Sequence, residues 1–241
     1  MKIQSFTDRG RVRDMNQDAY KTGLFKDGGA WAVVCDGMGG VSGGQVASEI
    51  CVNEVSSRIE KGYRKGMSMK SVKNLLVSSI TAANIKVYET AEQKQEYQGM
   101  GTTVVALVIL NGFAAVAHVG DSRAYFISDD IKQITKDHSV VQYLIDIGRI
   151  TPEQAKTHPD RNVITRAVGV SSTVDADVDI IPINKNEIVL ICTDGLYEYI
   201  SDDEMFDVIK NTNYDEPAKV LLDMANDAGG KDNITVVTVE G

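Results

Sequence analysis

Two apolar runs separated by Asn-Gly constrain the fold of this chain more than any other feature. Residues 102–110 and 113–119 are almost continuously apolar, and Asn111-Gly112 stands between them. Asn-Gly readily adopts the positive φ of a type I′ turn, which joins two antiparallel strands. The pattern therefore predicts a hairpin and, with it, an antiparallel sheet.

Three further segments predict strands. Residues 124–127 and 131–134 flank a short polar turn, which predicts a second hairpin. Residues 174–180 alternate between apolar and acidic side chains, as a half-buried strand does. The acidic residues of this segment are spaced like the start of a calcium-binding loop, but the glycine and glutamate of such a loop are missing. We therefore expect the acidic face of the strand to be solvated. The predicted inward residues are Val174, Ala176, Val178 and Ile180, and the outward ones are Asp175, Asp177 and Asp179.

Helices are predicted in two clusters. Residues 44–59 and 71–91 repeat apolar side chains at helical spacing in the middle of the chain. Near the C-terminus, a Ser201–Glu204 capping box begins one helix, and residues 215–228 predict another before a pair of glycines. Paired helices combined with antiparallel strands predict an α+β fold with two packed sheets covered by helices.

The chain shows no linker and no internal repeat, so we predict one domain over residues 1–241. Residues 137–170 depart from this regularity, with a short helix, a helix start at Thr151-Pro152-Glu153 and a His158-Pro159 loop. Irregular excursions of that length are more often functional than incidental. We therefore predict that residues 137–170 form a functional, flap-like segment.

Composition excludes several kinds of partner. The chain has 241 residues, 43% of them hydrophobic, and a formal net charge of −9. Because no Lys/Arg-rich block offsets that charge, nucleic acid is not expected as the main partner. The apolar runs are too short for a membrane span, and the first residues lack the apolar segment of a secretory signal. Cys35, Cys51 and Cys192 have no CxxC spacing and predict buried thiols in a reducing compartment, so we expect a cytoplasmic protein.

Four times in this chain an aspartate lies at the end of a short apolar strand, with a glycine or another small residue beside it. A strand end holds a side chain in a fixed place, and glycine lets backbone approach a ligand closely. Carboxylate oxygens are the ligands that Mg2+ and Mn2+ prefer. The pattern predicts a metal site assembled from distant strand ends. The aspartates are Asp36, Asp121, Asp194 and Asp232.

Each of these aspartates taken alone is more simply explained as a turn residue. Gathered at one end of a sandwich, however, they would repel one another. Two unit charges about 4 Å apart cost about 1 kcal/mol in water and roughly 4 kcal/mol at an effective dielectric constant of about 20. Several such pairs would consume a large share of a typical stability of ~5–15 kcal/mol. Bound cations remove that conflict, so the joint pattern favours a metal site.

Seven short motifs follow one another along the chain: DRGRVRDMNQD, VVCDGMGG, GMGTT, VGDSR, TKDH, CTDGL and GGKDNITVV. They occur in the order seen in the metal-dependent protein serine/threonine phosphatases of the 2C type. From about residue 6 to residue 239, the chain resembles the single-domain bacterial members of this family. The resemblance implies a four-layer α-β-β-α sandwich, in which helix pairs flank two antiparallel sheets.

The resemblance also implies a core site for two Mg2+ or Mn2+ ions. Asp36 would bridge the two ions, and the backbone carbonyl of Gly37 would bind one of them. Asp194 and Asp232 would hold the other ion. These three aspartates are therefore the candidate catalytic residues.

Three further residues take roles from the resemblance. Asp121 resembles the aspartate that helps to hold a third ion in bacterial members, and Asp18 would act through metal-bound water. Arg13 resembles the arginine that binds the substrate phosphate, for which a guanidinium fork is well suited.

The activity that the resemblance implies is hydrolysis of phosphoserine and phosphothreonine in proteins. A metal-bridged water or hydroxide would attack phosphorus directly, without a covalent phosphoenzyme. The implied partners are phosphorylated proteins, with a bacterial-type serine/threonine kinase and its targets, and we expect a monomer.

The sequence also suggests three other functions, and its residues argue against each of them. A catalytically silent homologue could bind phosphoprotein or metal, although the intact set of Arg13 and the aspartates argues against it. Residues 37–43 nearly spell a dinucleotide-binding glycine motif, which would require parallel βαβ units and so conflicts with the predicted hairpins. A cysteine phosphatase needs arginine six positions after its cysteine, where this chain has Val41, Ser57 and Glu198.

Overall fold

Two antiparallel sheets pack face to face in this protein. The computed structural model describes residues 1–211 and 214–241. The first sheet has the strand order β1-β11-β10-β7-β8, and every neighbouring pair is antiparallel. Its strands are β1 (Ile3–Asp8), β7 (Arg123–Ile127), β8 (Ile131–Gln133), β10 (Ile188–Cys192) and β11 (Ile234–Glu240).

The second sheet has the order β2-β3-β5-β6-β9, again antiparallel throughout, with a two-residue strand, β4, paired to the end of β3. The predicted Asn-Gly hairpin joins β5 to β6, and both turn residues have positive φ, 53° at Asn111 and 76° at Gly112. The strands are β2 (Asp18–Leu24), β3 (Ala30–Met38), β4 (Gly101–Thr102), β5 (Val104–Leu110), β6 (Phe113–Val119) and β9 (Asp177–Pro182).

Helix pairs cover the outer faces of the two sheets. Helices α1 and α2 pack on the second sheet, and α6 and α7 pack on the first. None of the helices in the described part of the chain combines the length and the apolar character that crossing a bilayer requires. The helices are α1 (Gly40–Gly62), α2 (Met69–Gln93), α3 (Val140–Asp146), α4 (Pro152–Ala155), α5 (Asp194–Tyr197), α6 (Asp202–Lys210) and α7 (Pro217–Asp227), with a short 3-10 helix at Gln95–Tyr97.

The core consists of three apolar layers, and strand alternation explains them. On β3, Ala32 and Val34 face the space between the sheets, whereas Val33 and Cys35 face α1 and α2. A strand covered on both faces needs apolar residues at every position, which is why β5 is buried along its whole length. The four-layer α-β-β-α sandwich is therefore confirmed, and its antiparallel sheets exclude the dinucleotide-binding alternative.

The structure shifts the bounds of several predicted elements. Helix α1 begins at Gly40 rather than at residue 44, because close packing outweighs the low helix propensity of glycine. A Cβ on Gly44 would lie 2.6 Å from the carbonyl oxygen of Gly37, so glycine lets the first turn of α1 rest on the end of β3. Helix α7 begins at Pro217, a residue well suited to the first turn.

The prediction for residues 174–180 was partly wrong. Pairing in β9 begins only at Asp177, and Ile180 on this edge strand is 39% exposed. Val174, Ala176 and Val178 do pack against the layer beneath α1 and α2, as predicted. In the flap-like segment, the predicted helix start at Thr151 is confirmed as a capping box with Gln154.

Candidate metal centre and active site

Antiparallel pairing brings the candidate aspartates to one end of the sandwich. Asp18 begins β2 and lies directly opposite Asp36 on β3. In the other sheet, the end of β10 pairs with the start of β11, so Asp194 and Asp232 flank that pair at the same edge. Asp121 follows β6, whose last residue, Val119, pairs with the first residue of β5. Residues far apart in the chain thus meet at one end.

The backbone of Asp36 is held by hydrogen bonds on both sides. Its N–H donates to Thr103 Oγ1 at 2.9 Å. Its carbonyl oxygen accepts from the Thr102 hydroxyl and from the Thr103 N–H, both at 2.8 Å. The Thr103 hydroxyl in turn lies 2.7 Å from the Ser122 hydroxyl, next to Asp121. This buried network fixes where the Asp36 carboxylate can lie.

Asp18 is the most deeply buried carboxylate of the group, with 9% of its surface exposed. Its Oδ2 accepts hydrogen bonds from Thr193 Oγ1 at 2.9 Å and from Thr235 Oγ1 at 2.7 Å. Burial raises the pKa of Asp18 to about 7, against the opposing effect of these two hydrogen bonds. Its Oδ1 has no hydrogen-bond partner among the described residues. An unsatisfied buried carboxylate oxygen is costly unless a cation or a water accompanies it.

The carboxylates are close enough for their charges to act on one another. Desolvation raises the pKa of Asp36 well above its usual range, and the neighbouring Asp18, Asp194, Asp121 and Asp232 raise it further. Desolvation and the same kind of repulsion raise the pKa of Asp194. Asp194 Oδ1 is also without a hydrogen-bond partner in the described part of the chain. Crowded oxygen donors with unused lone pairs fit hard divalent cations such as Mg2+ or Mn2+.

Asp121 lies in a separate set of contacts, which involves Tyr197, Arg123 and Asp137. Desolvation and the charge of Asp137 raise the pKa of Asp121 to about 6. The Tyr197 hydroxyl donates to the Asp121 carbonyl at 3.1 Å, and the Arg123 guanidinium lies over the Tyr197 ring, 3.7 Å from its centroid. Asp137 accepts two-pronged hydrogen bonds from Arg123. The first residue of the flap-like segment is thereby tied to the backbone beside Asp121.

Arg13 lies at the edge of this carboxylate cluster. Its Nη2 is 2.6 Å from Asp232 Oδ2, and about half of the Arg13 side chain is exposed, 52%. Partial burial lowers the pKa of Arg13, but Asp232, Asp194 and Asp36 more than compensate and raise it. The guanidinium therefore faces the cluster while staying accessible to a ligand.

The loop that carries Arg13 is held by the side chain of Asn233. Asn233 Nδ2 donates to the carbonyls of Arg9 and Met15, each at 2.9 Å, and its Oδ1 accepts from the Gln17 N–H at 2.8 Å. All of these bonds span more than two hundred residues of sequence. Asn233 adjoins Asp232, so one short segment positions both a carboxylate and the loop that carries Arg13.

Comparison with known proteins identifies the family of this chain. The sequence profile of protein phosphatase 2C matches residues 8–233. The chain belongs to the protein phosphatase 2C family. It is 37% identical to the serine/threonine phosphatase stp of Listeria innocua serovar 6a, over 100% of this chain and 96% of that protein.

Two other members of the family are similarly close over nearly their full length. Protein phosphatase PhpP of Streptococcus pneumoniae serotype 2 is 33% identical, over 99% of this chain and 97% of that protein. The crystal structure of serine/threonine phosphatase Stp1 from Staphylococcus aureus superposes with a TM-score of 0.92 at 38% identity, over 100% of this chain and 95% of that one.

A second titratable cluster in this 2C-type fold adjoins Asp121, because the backbone N–H of His138 donates to the Gly120 carbonyl and His138 Nδ1 accepts from the Gly120 N–H. His138 Nε2 is 3.1 Å from Asp177 Oδ2, and Arg166 Nη1 is 3.0 Å from Asp177 Oδ1. The rings of His118 and His138 stack 4.6 Å apart at an interplanar angle of 17°. Stacked parallel imidazoles cannot both direct an in-plane lone pair at one ion, and a guanidinium already neutralises Asp177. This cluster is a support for the flap-like segment rather than a metal site.

The sequence did not predict the side chains, distant along the chain, that form hydrogen bonds with acidic residues in and around the candidate site. Asp177 is exposed as predicted, at 52%, but its pairing with His138 and Arg166 was not predicted. Thr193 and Thr235 are the hydroxyl donors to Asp18. In the sequence, these two threonines stand out only as polar residues at the ends of otherwise apolar strands.

Proposed function

We propose that this chain hydrolyses phosphoserine and phosphothreonine esters in proteins with the help of bound Mg2+ or Mn2+. The observation that carries the proposal is the cluster of carboxylates with unused oxygens beside an accessible guanidinium. Two ions would be held by Asp36, Asp194 and Asp232 with the carbonyl of Gly37. Asp18 would act through water.

Asp121 would help to hold a third ion at the same end of the sandwich. Its side chain lies near Asp194, whose pKa it helps to raise. The hydrogen bond from Tyr197 to the Asp121 carbonyl would keep that carboxylate in place.

Two divalent ions, when bound, would supply charge neutralisation and an activated water for direct attack on phosphorus, without a phosphoenzyme. The chain's own residues orient the reactants. Arg13 binds the phosphoryl oxygens through its planar fork and aligns phosphorus with the carboxylate cluster. Thr102 and Thr103 keep Asp36 from moving, so little reorganisation accompanies the reaction.

The test is hydrolysis of p-nitrophenyl phosphate and of a phosphothreonine peptide by the purified chain with Mn2+. We expect turnover of both substrates and its loss when EDTA is added. A binding module without catalysis is the alternative, and protein that stays inert under saturating Mn2+ would favour it.

The physiological partners proposed are cytoplasmic phosphoproteins, namely a bacterial-type serine/threonine kinase and the targets of that kinase. The three cysteines are free and buried, which suits a reducing compartment. The flap-like segment, residues 137–170, is proposed to contact the substrate. It is anchored beside the site because Val168 and Thr102 exchange backbone hydrogen bonds.

Replacing Asn233 with alanine is expected to weaken phosphate binding. The variant loses the hydrogen bonds that hold the Arg9–Gln17 loop, so Arg13 is no longer positioned. We expect KM for p-nitrophenyl phosphate to rise about tenfold, the equivalent of ~1.4 kcal/mol of binding. Asn53→Ala, at an exposed asparagine on α1, is the matched control. A variant with lower thermal stability but an unchanged KM would show that Asn233 is purely structural.

A further inference from the structure

Three exposed arginines occur within five residues at the edge of the candidate site. Arg9, Arg11 and Arg13 alternate along the loop that we call the arginine loop, residues 9–13. The chain as a whole carries a net charge of −9, so a local surplus of guanidinium groups is unusual for it. Arg13 has a proposed role, and the other two arginines have none.

Each arginine is placed beside the site by a contact of its own. Arg9 Nη1 donates to the Asp14 carbonyl at 3.3 Å, which brings its guanidinium to the residue next to Arg13. The Arg11 N–H donates to the Gly230 carbonyl at 2.7 Å, two residues before Asp232. All three arginines therefore belong to one rim, which borders the carboxylate cluster.

The arginine loop is built to hold a fixed shape. Gly10 has φ +79° and is buried, and a Cβ there would lie 2.2 Å from the Asp232 carbonyl oxygen. Only glycine allows the loop to lie this closely on residues 230–232. The Asn233 side chain holds the loop from the other side. Charged groups on a pre-organised loop lose less entropy when they bind a ligand.

The two unassigned arginines are available to a ligand. Among the residues that the structure describes, neither Arg9 nor Arg11 forms an ion pair with a carboxylate. The nearest acidic residues in sequence are Asp8 and Asp14, which leave a surplus of one positive charge over residues 8–14. Asp8 Oδ1 is turned into the loop, where it accepts from the Gly10 N–H.

We propose that Arg9 and Arg11 bind acidic side chains that flank the phosphorylated residue of a protein substrate. This inference rests on the proposed function. With the phosphate on Arg13, an extended segment advances about 3.3–3.6 Å per residue, so carboxylates within about three residues of the phosphate come within reach of the rim. Guanidinium groups pair with carboxylates in a two-pronged geometry. The positive charge of the rim would also offset the repulsion between an acidic substrate segment and the net negative charge of the protein.

The experiment compares two phosphothreonine peptides that differ only in their flanking residues, aspartate and glutamate in one, asparagine and glutamine in the other. The readout is the ratio of kcat/KM for the acidic peptide to that for the neutral peptide, measured within each protein variant. Exposed ion pairs contribute modestly, so we expect a ratio of about three- to tenfold in the wild type at low salt. The ratio should shrink as NaCl is raised.

The double variant Arg9→Gln/Arg11→Gln is expected to bring the ratio close to one. Arg64→Gln is the matched control, because Arg64 is exposed just beyond the far end of α1, about 33 Å along that helix from Gly40. A ratio of one in the wild type, or an unchanged ratio in the double variant, would overturn the inference. Failure to hydrolyse either phosphopeptide would overturn the proposed function and this inference with it.

Discussion

Asp36→Asn is expected to lower Mn2+-dependent hydrolysis of p-nitrophenyl phosphate by at least about 100-fold. Residues that only support metal ligands typically contribute 10- to 100-fold, so Asp36, proposed to bind both ions, should reach or exceed the upper value. Asparagine keeps the shape of the side chain but removes its charge and one oxygen. The backbone bonds of residue 36 to Thr102 and Thr103 should remain, so the fold should be intact.

The same substitution should stabilise the protein when metal is absent. Asp36 lies among carboxylates that raise its pKa, so a neutral amide relieves repulsion. For a domain of this size, each kcal/mol of relief raises Tm by about 2–4 °C. Asp129→Asn, in the exposed turn between β7 and β8, is the matched control and should change neither activity nor Tm. An Asp36→Asn variant that keeps its Mn2+-dependent activity would contradict the assigned role.

Removing divalent metal from the wild type should lower Tm by about 5–11 °C relative to protein with Mn2+ at a hundred times its Kd. The estimate combines a stabilisation of about 2.7 kcal/mol by ligand binding with the same conversion to temperature. The physical reason is that the cation would neutralise Asp36, Asp194 and Asp232 and would satisfy oxygens that lack hydrogen-bond partners among the described residues. Thermal unfolding followed by circular dichroism in EDTA and in Mn2+ measures the difference.

Comparison with Asp36→Asn separates two causes of that shift. Stabilisation by mass action alone would leave metal-free wild type and metal-free variant equally stable. Relief of repulsion predicts that the metal-free variant is the more stable of the two. An identical Tm for the wild type in EDTA and in Mn2+ would count against both causes.

The fold was predictable because its strongest signals are local. Asn111-Gly112 specifies its turn through the φ angles of two adjacent residues, and the Ser201–Glu204 capping box closes within one helical turn. The start of α1 was not predictable from local propensity, since its glycines are explained by contact with Gly37. The exposure of Ile180 likewise depends on which strand lies at the sheet edge.

The candidate site was predictable only in part. The aspartates could be named because each follows or precedes an apolar strand, a pattern visible within ten residues. Their roles as ligands, and that of Arg13, stay predictions. Thr193 and Thr235 donate hydrogen bonds to Asp18 over sequence separations of 175 and 217 residues, and no local sequence pattern predicts these bonds. Contacts of this kind emerge only from the tertiary fold.

The most direct test of the carboxylate metal centre is a crystal structure of the Mn2+-soaked protein with anomalous data collected near the manganese absorption edge. The account predicts at least two anomalous peaks bound by Asp36, Asp194 and Asp232. A single peak at the cluster of His118, His138 and Asp177, or no peak near Asp36 at saturating Mn2+, would contradict it.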